Sequence, residues 1–349
     1  MNGTQRRKTS PRRRLLFIAA YLAFVALLLF VAFLVVLKYR ANVPLTGEMT
    51  ELDVWKSYYP GLERSTAKQS LVRTNALDDT DDDKHFDVLF LGASVLEQVV
   101  RKLKPSAFEP LANGQSVRLY NLTMSAHTTR DSLLKLRLLK HREFDLIIVY
   151  HGINDARMNC FPGDEFQQDY SHCAWYSGML KRVKARRITF TDVVSDATER
   201  LIPLGEPDEK HAAFGSEIKT DKPFKANLTE IVDLAAANES TRVVFMTFAT
   251  FVPNGYSKEK HAAGELGYAE GDYDMTLESW GQPDAVQAAV AAHNRVVREV
   301  AGASDRVTLI DLDETMSGKA ELFSDPCHLS ARGCKEFDVR LMVGVLKTN

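Results

Sequence analysis

The amino-acid sequence predicts a three-layer α/β/α sandwich on a central, mostly parallel five-stranded sheet, preceded by one N-terminal transmembrane helix. Three observations predict it. Short apolar runs bounded by Gly, Asn or Asp recur at Val88–Leu91, Val117–Tyr120, Leu146–Tyr150, Val243–Phe248 and Val307–Ile310. They read as strands hydrophobic on both faces, as expected of a parallel sheet covered by helices. Helical patterns lie between them, including Ser132–Leu139 with Leu133, Leu134, Leu136 and Leu138 and the Ala- and Val-rich stretch Asp284–Val300, and strand-helix alternation of this kind specifies right-handed crossovers around one sheet. The third observation is Leu15–Leu37, 23 residues without a charge; at ~1.5 Å per residue they reach ~34 Å as a helix, enough to span a bilayer.

Taken in order, Arg6, Arg7, Lys8, Arg12, Arg13 and Arg14 precede the apolar stretch, and a cationic flank of this density stays on the cytoplasmic side. The N-terminus is therefore expected inside the cell and everything after Lys38 outside the cytoplasm, periplasmic or extracellular. A cleaved signal is the competing reading. Its apolar core would run to ~7–15 residues and end at a small-x-small site, whereas this run is longer and continues into Leu37-Lys38-Tyr39-Arg40, so an uncleaved signal-anchor is expected. The resulting organisation is a basic tail (1–14), the membrane helix (15–37), a juxtamembrane stalk (38–85) and one folded domain (86–349). The Asp-rich run Asp78–Asp83 reads as the solvated end of the stalk. Lys and Arg total 44 against 46 Asp and Glu, a net charge of −2, and no basic stripe points to nucleic acid. About 310 residues beyond the anchor suffice for one large core.

Within the domain, Val95–Leu103 looks helical, and a last helix is expected to start near Ser330 with Phe337, Leu341, Val343 and Val345 on its buried side. Two stretches, about 156–226 and 253–283, are too long for simple connections and read as insertions. Both follow the C-terminal ends of strands, where open α/β sheets bind ligands. The second carries Tyr256, Tyr268, Tyr273 and Trp280, and substrate selectivity is expected in both. Cys160, Cys173, Cys327 and Cys334 all lie beyond the anchor. An oxidising compartment permits disulfides, and the local pairs Cys160 with Cys173 and Cys327 with Cys334 need the least chain closure, while the other pairings and free thiols stay open. No Cys-x-x-Cys with partner histidines argues for zinc.

Four segments carry the chemistry: Gly92-Ala93-Ser94, Asn121 to Ala126, Gly152-Ile153-Asn154-Asp155 and Asp325-Pro326-Cys327-His328. A serine hydroxyl needs a base to take its proton during attack. Asp325, three residues before His328, supplies that base in usable form, because a carboxylate on one imidazole nitrogen sets the tautomer and leaves the other nitrogen for Ser94. Gly92 permits a tight turn that exposes Ser94. Read alone, Ser94 would do no more than cap the following helix.

The four segments in this order resemble the SGNH hydrolases, also called the GDSL esterase and lipase family, over roughly residues 86–349. The resemblance implies the SGNH, flavodoxin-like sandwich and a serine esterase that needs no metal or organic cofactor. It implies Ser94 as nucleophile, His328 with Asp325 as its base, and an oxyanion hole made by the N–H of Ser94, the N–H of Ala126 and the side-chain amide of Asn154. Gly92, Gly152 and Asp155 then support the loops, and His151, Arg157 and His172 are expected near the pocket. Two departures stand out. The first block often reads Gly-Asp-Ser and here has Ala93. The second resembles Asn-Leu-Gly-x-Ser-Gly but ends in Ala126, which keeps the N–H at the cost of strain if the backbone there needs positive φ. The implied substrate is an acyl or acetyl ester, carried by an envelope or extracellular glycan or lipid. The same site would serve a polysaccharide O-acetyltransferase, and a non-catalytic envelope binding protein is the third reading.

Overall fold

The computed structural model describes residues 11–41, 49–59, 62, 65–66, 73–74, 84–188, 207 and 209–347. Arg6, Arg7, Lys8 and the Asp78–Asp83 run lie outside them. The chain divides into two compact units, Met1–Pro60 with Lys181–Leu201, and Gly61–Leu180 with Ile202–Asn349.

In the first unit a helix runs from Pro11 to Ala41. Its segment Arg12–Val35 is long and apolar enough to cross a membrane, and none of it is buried. Such a helix, apolar on every side, has no polar face to turn to water. The stretch read from sequence as a stalk contains a further helix, Glu51–Tyr58. It begins in a capping box: the Thr50 hydroxyl accepts the Asp53 N–H at 3.2 Å and the Asp53 carboxylate accepts the Thr50 N–H at 2.8 Å.

The second unit opens with a short antiparallel pair, β1 (Ser65–Thr66) and β2 (Arg73–Thr74). Five strands follow: β3 (His85–Gly92), β4 (Ser116–Asn121), β5 (Leu146–Tyr150), β6 (Arg242–Met246) and β7 (Val307–Ile310). They form one sheet in the order β4-β3-β5-β6-β7, and every neighbouring pair is parallel. Two groups of helices flank it. Thr129–Leu138, Asp221–Ala235 and Pro283–Gly302 pack together, and Ser94–Val100 packs with Ala331–Leu346. The central strands are buried almost throughout, as the apolar runs predict. The edges are not: β4 starts exposed and β7 leaves Leu309 37% accessible, because an edge strand receives less helix cover than a central one. The last helix corrects the expected face at one position. Phe337, Leu341 and Val345 are buried at four-residue steps, whereas Val343 is 48% exposed, half a turn away.

The register brings the working loops to one edge. Asn121 pairs with Phe90, Gly92 with Tyr150, and Tyr150 with Met246, so the segments after β3, β4, β5 and β6 leave side by side. The chain steps from β3 out to β4 and then back across to β5. This reversal opens the crevice at the carboxyl ends of the strands where α/β sheets bind ligands.

Candidate active site

β3 ends at Gly92, and Ser94 is the first residue of the helix Ser94–Val100, with Ala93 as its N-cap. Ser94 is thus not a cap; its N–H is one of the first-turn donors that a helix cannot satisfy internally. Gly92 is required for space rather than for an unusual turn. A Cβ there would lie 2.8 Å from Leu96 Cδ2 and 2.9 Å from the Tyr150 carbonyl oxygen. The serine Oγ lies 2.8 Å from His328 Nε2, in a site where Ser94 is 8% and His328 3% exposed.

The histidine loop is held by its own aspartate. Asp325 is fully buried; one carboxylate oxygen accepts the N–H groups of Cys327 (2.9 Å) and His328 (2.7 Å), and the other accepts His328 Nδ1–H (2.7 Å) and the Met275 N–H (3.0 Å). Burial pushes this carboxyl up, but the hydrogen bonds and charge of His328 outweigh it and hold the group below the ordinary aspartate value. With Nδ1 donating to Asp325, Nε2 is left as the acceptor facing Ser94. Gln98, one turn after Ser94, grips the same loop: its amide oxygen accepts the Leu329 N–H at 3.1 Å and its amide nitrogen donates to the Leu329 carbonyl at 3.4 Å.

The second block runs beside the end of β3, with Leu122 N–H bonded to Phe90 O (3.1 Å) and Met124 N–H to Gly92 O (3.2 Å). Ala126 adopts φ 64°, the left-handed conformation that favours glycine. The strain anticipated from sequence is therefore present, on the order of 1–2 kcal/mol for a residue with a Cβ. A buried lysine ties together residues on either side of Ala126. Lys135 Nζ donates to the Leu122 carbonyl at 2.5 Å and to His127 Nδ1 at 2.7 Å, and burial lowers its pKa to about 8.

The third block places Asn154 between two fixed partners. Its Nδ2 donates to the His127 carbonyl at 3.0 Å and its Oδ1 accepts Trp280 Nε1–H at 2.8 Å. An amide nitrogen carries two hydrogens, so one remains for a ligand. Gly152 has extended backbone, φ 177°, and is needed because a Cβ would sit 2.5 Å from Phe248. Its carbonyl is 3.0 Å from His293 Nδ1, whose Nε2 is 2.8 Å from the Thr220 hydroxyl. Asp155 is buried and accepts the Thr129 N–H, the Thr129 hydroxyl (2.6 Å) and the Tyr170 hydroxyl (3.0 Å); burial raises its pKa to about 7.

Other expected residues are placed differently. His151 Nε2 is 2.7 Å from the Ser132 hydroxyl, and His172 accepts the Gln167 N–H while packing on Phe161 and Phe166. Arg157 lies beside Cys160 and Cys173. All four cysteines are free thiols, so neither local disulfide is formed. The Cys160 sulfur points at the Trp280 carbonyl (3.5 Å) and that of Cys327 at His328 Nδ1 (3.6 Å). Among the described residues one group could offer a metal three ligands, Asp325, Cys327 and His328, within 4.8 Å; Asp325 and His328 there already bond each other.

Sequence reasoning missed Gln98, Lys135 and His293. Each carries the same faint signal, a polar residue on a helical face otherwise reserved for the core. It named Tyr273 and Trp280 only as aromatics in an insertion. In the structure Tyr273 stacks on His328 with ring centres 4.0 Å apart and planes at 7°, and Trp280 lies 6.3 Å from the same imidazole. A groove of about 590 Å³ is lined in part by Tyr273, with His261, Tyr268, Glu270, Asp274 and Ser324.

A family profile described as GDSL-like lipase/acylhydrolase matches residues 91–335. Among solved structures, the chain is similar to a GDSL-like lipase from Bacteroides thetaiotaomicron, at 15% identity over 76% of this chain and 90% of that one, TM-score 0.41. It is also similar to the lipase/acylhydrolase from Enterococcus faecalis, at 15% identity over 74% and 95%, TM-score 0.38. A third is an acetyl xylan esterase, at 14% identity over 74% and 100%, TM-score 0.39. No curated protein matches the chain.

Proposed function

The chain belongs to the GDSL-like lipase/acylhydrolase family, and from that premise we propose that it cleaves acyl esters through Ser94, His328 and Asp325 by way of an acyl-enzyme. The observation that carries this reading is the continuous hydrogen-bonded chain from Ser94 Oγ through His328 to Asp325, 2.8 and 2.7 Å long. Such a chain lets an otherwise weak hydroxyl attack.

Ser94 Oγ attacks the ester carbonyl as its proton passes to His328 Nε2. The new C–O bond leaves a tetrahedral oxyanion. Three donors receive it: the Ser94 N–H, the Ala126 N–H and the second hydrogen of Asn154 Nδ2. Donors held in advance count because they need no reorganisation as charge develops, and losing one costs about 10²–10³ in rate. The intermediate collapses, the bond to the alcohol breaks, and His328 returns the proton to the departing oxygen. Water then attacks the acyl carbon, gives its proton to His328, and releases the carboxylic acid while Ser94 regains its hydrogen. Asp325 remains ionised throughout and stabilises the imidazolium at both stages.

The apolar helix Arg12–Val35, preceded by basic residues, supports a cytoplasmic N-terminus with the hydrolase unit outside the cytoplasm. There the ester would be carried by an envelope or extracellular glycan or lipid. A fluorophosphonate probe tests the chemistry. It is expected to label the wild-type protein and not Ser94→Ala, with loss of short p-nitrophenyl ester cleavage in parallel. A wild-type protein that neither labels nor cleaves, or a Ser94→Ala variant that does both, overturns the proposal. Protease accessibility in intact and opened cells tests the topology.

A further inference from the structure

The insertion between β6 and the helix Pro283–Gly302 reaches Asp325, Asn154 and His328. Met275 donates its N–H to Asp325, Trp280 donates Nε1–H to the Asn154 carbonyl oxygen, and the Tyr273 ring lies flat on the His328 imidazole. These contacts do different physical work. An aromatic face at 4.0 Å restricts rotation of the imidazole and, through its quadrupole, favours the imidazolium that forms when the serine proton is taken. The indole N–H settles which end of the Asn154 amide points where. An amide that has given its oxygen to Trp280 and one N–H to the His127 carbonyl cannot flip to present oxygen to an oxyanion.

We propose that Tyr273 and Trp280 are positioning residues for acyl transfer, Tyr273 holding and charging the base and Trp280 fixing the amide donor of the oxyanion hole. The inference rests on the Ser94–His328–Asp325 reading given above. It goes beyond it by assigning part of the catalytic geometry to an insertion rather than to the sheet edge. Neither residue makes or breaks a bond in the reaction. Each acts through another side chain, so their substitution changes the chemical step more than substrate binding.

The full chain in detergent tests this with Tyr273→Leu, Tyr273→Phe, Trp280→Phe and Ser94→Ala. The second-order rate of fluorophosphonate labelling is the main readout, because a small phosphonylating probe needs an activated serine and an oxyanion hole but little of the substrate pocket. Tyr273→Leu and Trp280→Phe are each expected to slow labelling on the order of tenfold and to lower kcat on a p-nitrophenyl ester by a similar factor, with KM within about twofold. Tyr273→Phe keeps the aromatic face and is expected to label at the wild-type rate. Thermal unfolding midpoints separate misfolding from misalignment. Where Tyr273→Leu unfolds, Tyr273→Trp, which also keeps an aromatic face, decides the matter: wild-type labelling supports the proposal and a tenfold loss overturns it. Folded Tyr273→Leu and Trp280→Phe proteins labelling within twofold of wild type overturn it, as does a pure KM effect. Labelling that persists in Ser94→Ala instead brings down the underlying serine mechanism.

Discussion

The two insertions leave the same edge of the sheet yet meet the site in different ways. In the first, about residues 156–226, Tyr170, Tyr176 and Thr220 face the scaffold. Tyr170 bonds the buried Asp155, Tyr176 Oη donates to the buried Asp131 at 2.6 Å, and Thr220 bonds the buried His293. The second, 253–283, meets Asp325, His328 and Asn154 directly. Long connections at equivalent places thus divide the work: one fixes the backbone under the site, the other orients the groups proposed to react. Changes at the first are expected to appear as stability, and changes at the second as rate.

The largest effect that could break this division is Asp325→Asn. The substitution keeps size but destroys the acceptor that sets the His328 tautomer, so kcat is expected to fall about 10⁴-fold with KM little changed, measured by steady-state ester hydrolysis. A loss below about tenfold would mean that the Met275–Asp325–His328 chain is structural only.

On the first insertion's side, pH is the lever. Burial lowers the pKa of His293 to about 4 from an ordinary 6.5. A depressed folded-state value contributes stability that is present above 6.5 and lost as pH falls toward 4, because the unfolded chain then binds the proton more readily. That difference corresponds to about 3 kcal/mol. His151, lowered to about 3, acts in the same direction, and Asp155, raised to about 7, in the opposite one. Urea unfolding between pH 7 and 4 is expected to show falling stability in the wild type and a shallower fall in His293→Gln. Equal slopes would remove His293 from the account.

Tyr170→Phe removes one hydrogen bond to Asp155 and is expected to cost about 1 kcal/mol of unfolding free energy with kcat within twofold. A large rate loss with unchanged stability would erase the contrast between the insertions. The smallest expected change is Ala126→Gly. It relieves the left-handed φ of 64° while loosening the unfolded chain, for a net gain below about 1 kcal/mol by thermal unfolding.

The fold was legible where periodicity and burial agree. The run at Leu146–Tyr150 became β5 at the expected bounds, because five consecutive apolar residues between breakers have few alternatives inside a helix-covered sheet, and Val307–Ile310 became the edge strand β7 at its expected bounds. Val243–Phe248 overran its strand: Thr247 and Phe248 lie beyond β6, and Phe248 forms the wall that makes Gly152 obligatory. Sequence left the local cysteine pairs and free thiols both open, and the structure has four free thiols. Spacing measures chain closure but not where a sulfur points, and two of these point at the Trp280 carbonyl and at His328.

By itself the sequence determined the parts and their order. Ser94 after one strand, Asn154 after another and Asp325 three residues before His328 are local facts of chain spacing, and the apolar N-terminal helix is a fact of composition. Tertiary structure alone decided the rest. That Ala126 takes a strained backbone, that Lys135 ties Leu122 to His127, and that Tyr273 lies on His328 while Trp280 fixes Asn154 are decided by packing, through contacts that reach as far as 126 residues along the chain. Such contacts have no period and no motif. They exist because a parallel sheet delivers the ends of its strands to one edge, where loops distant in the chain share a single small volume.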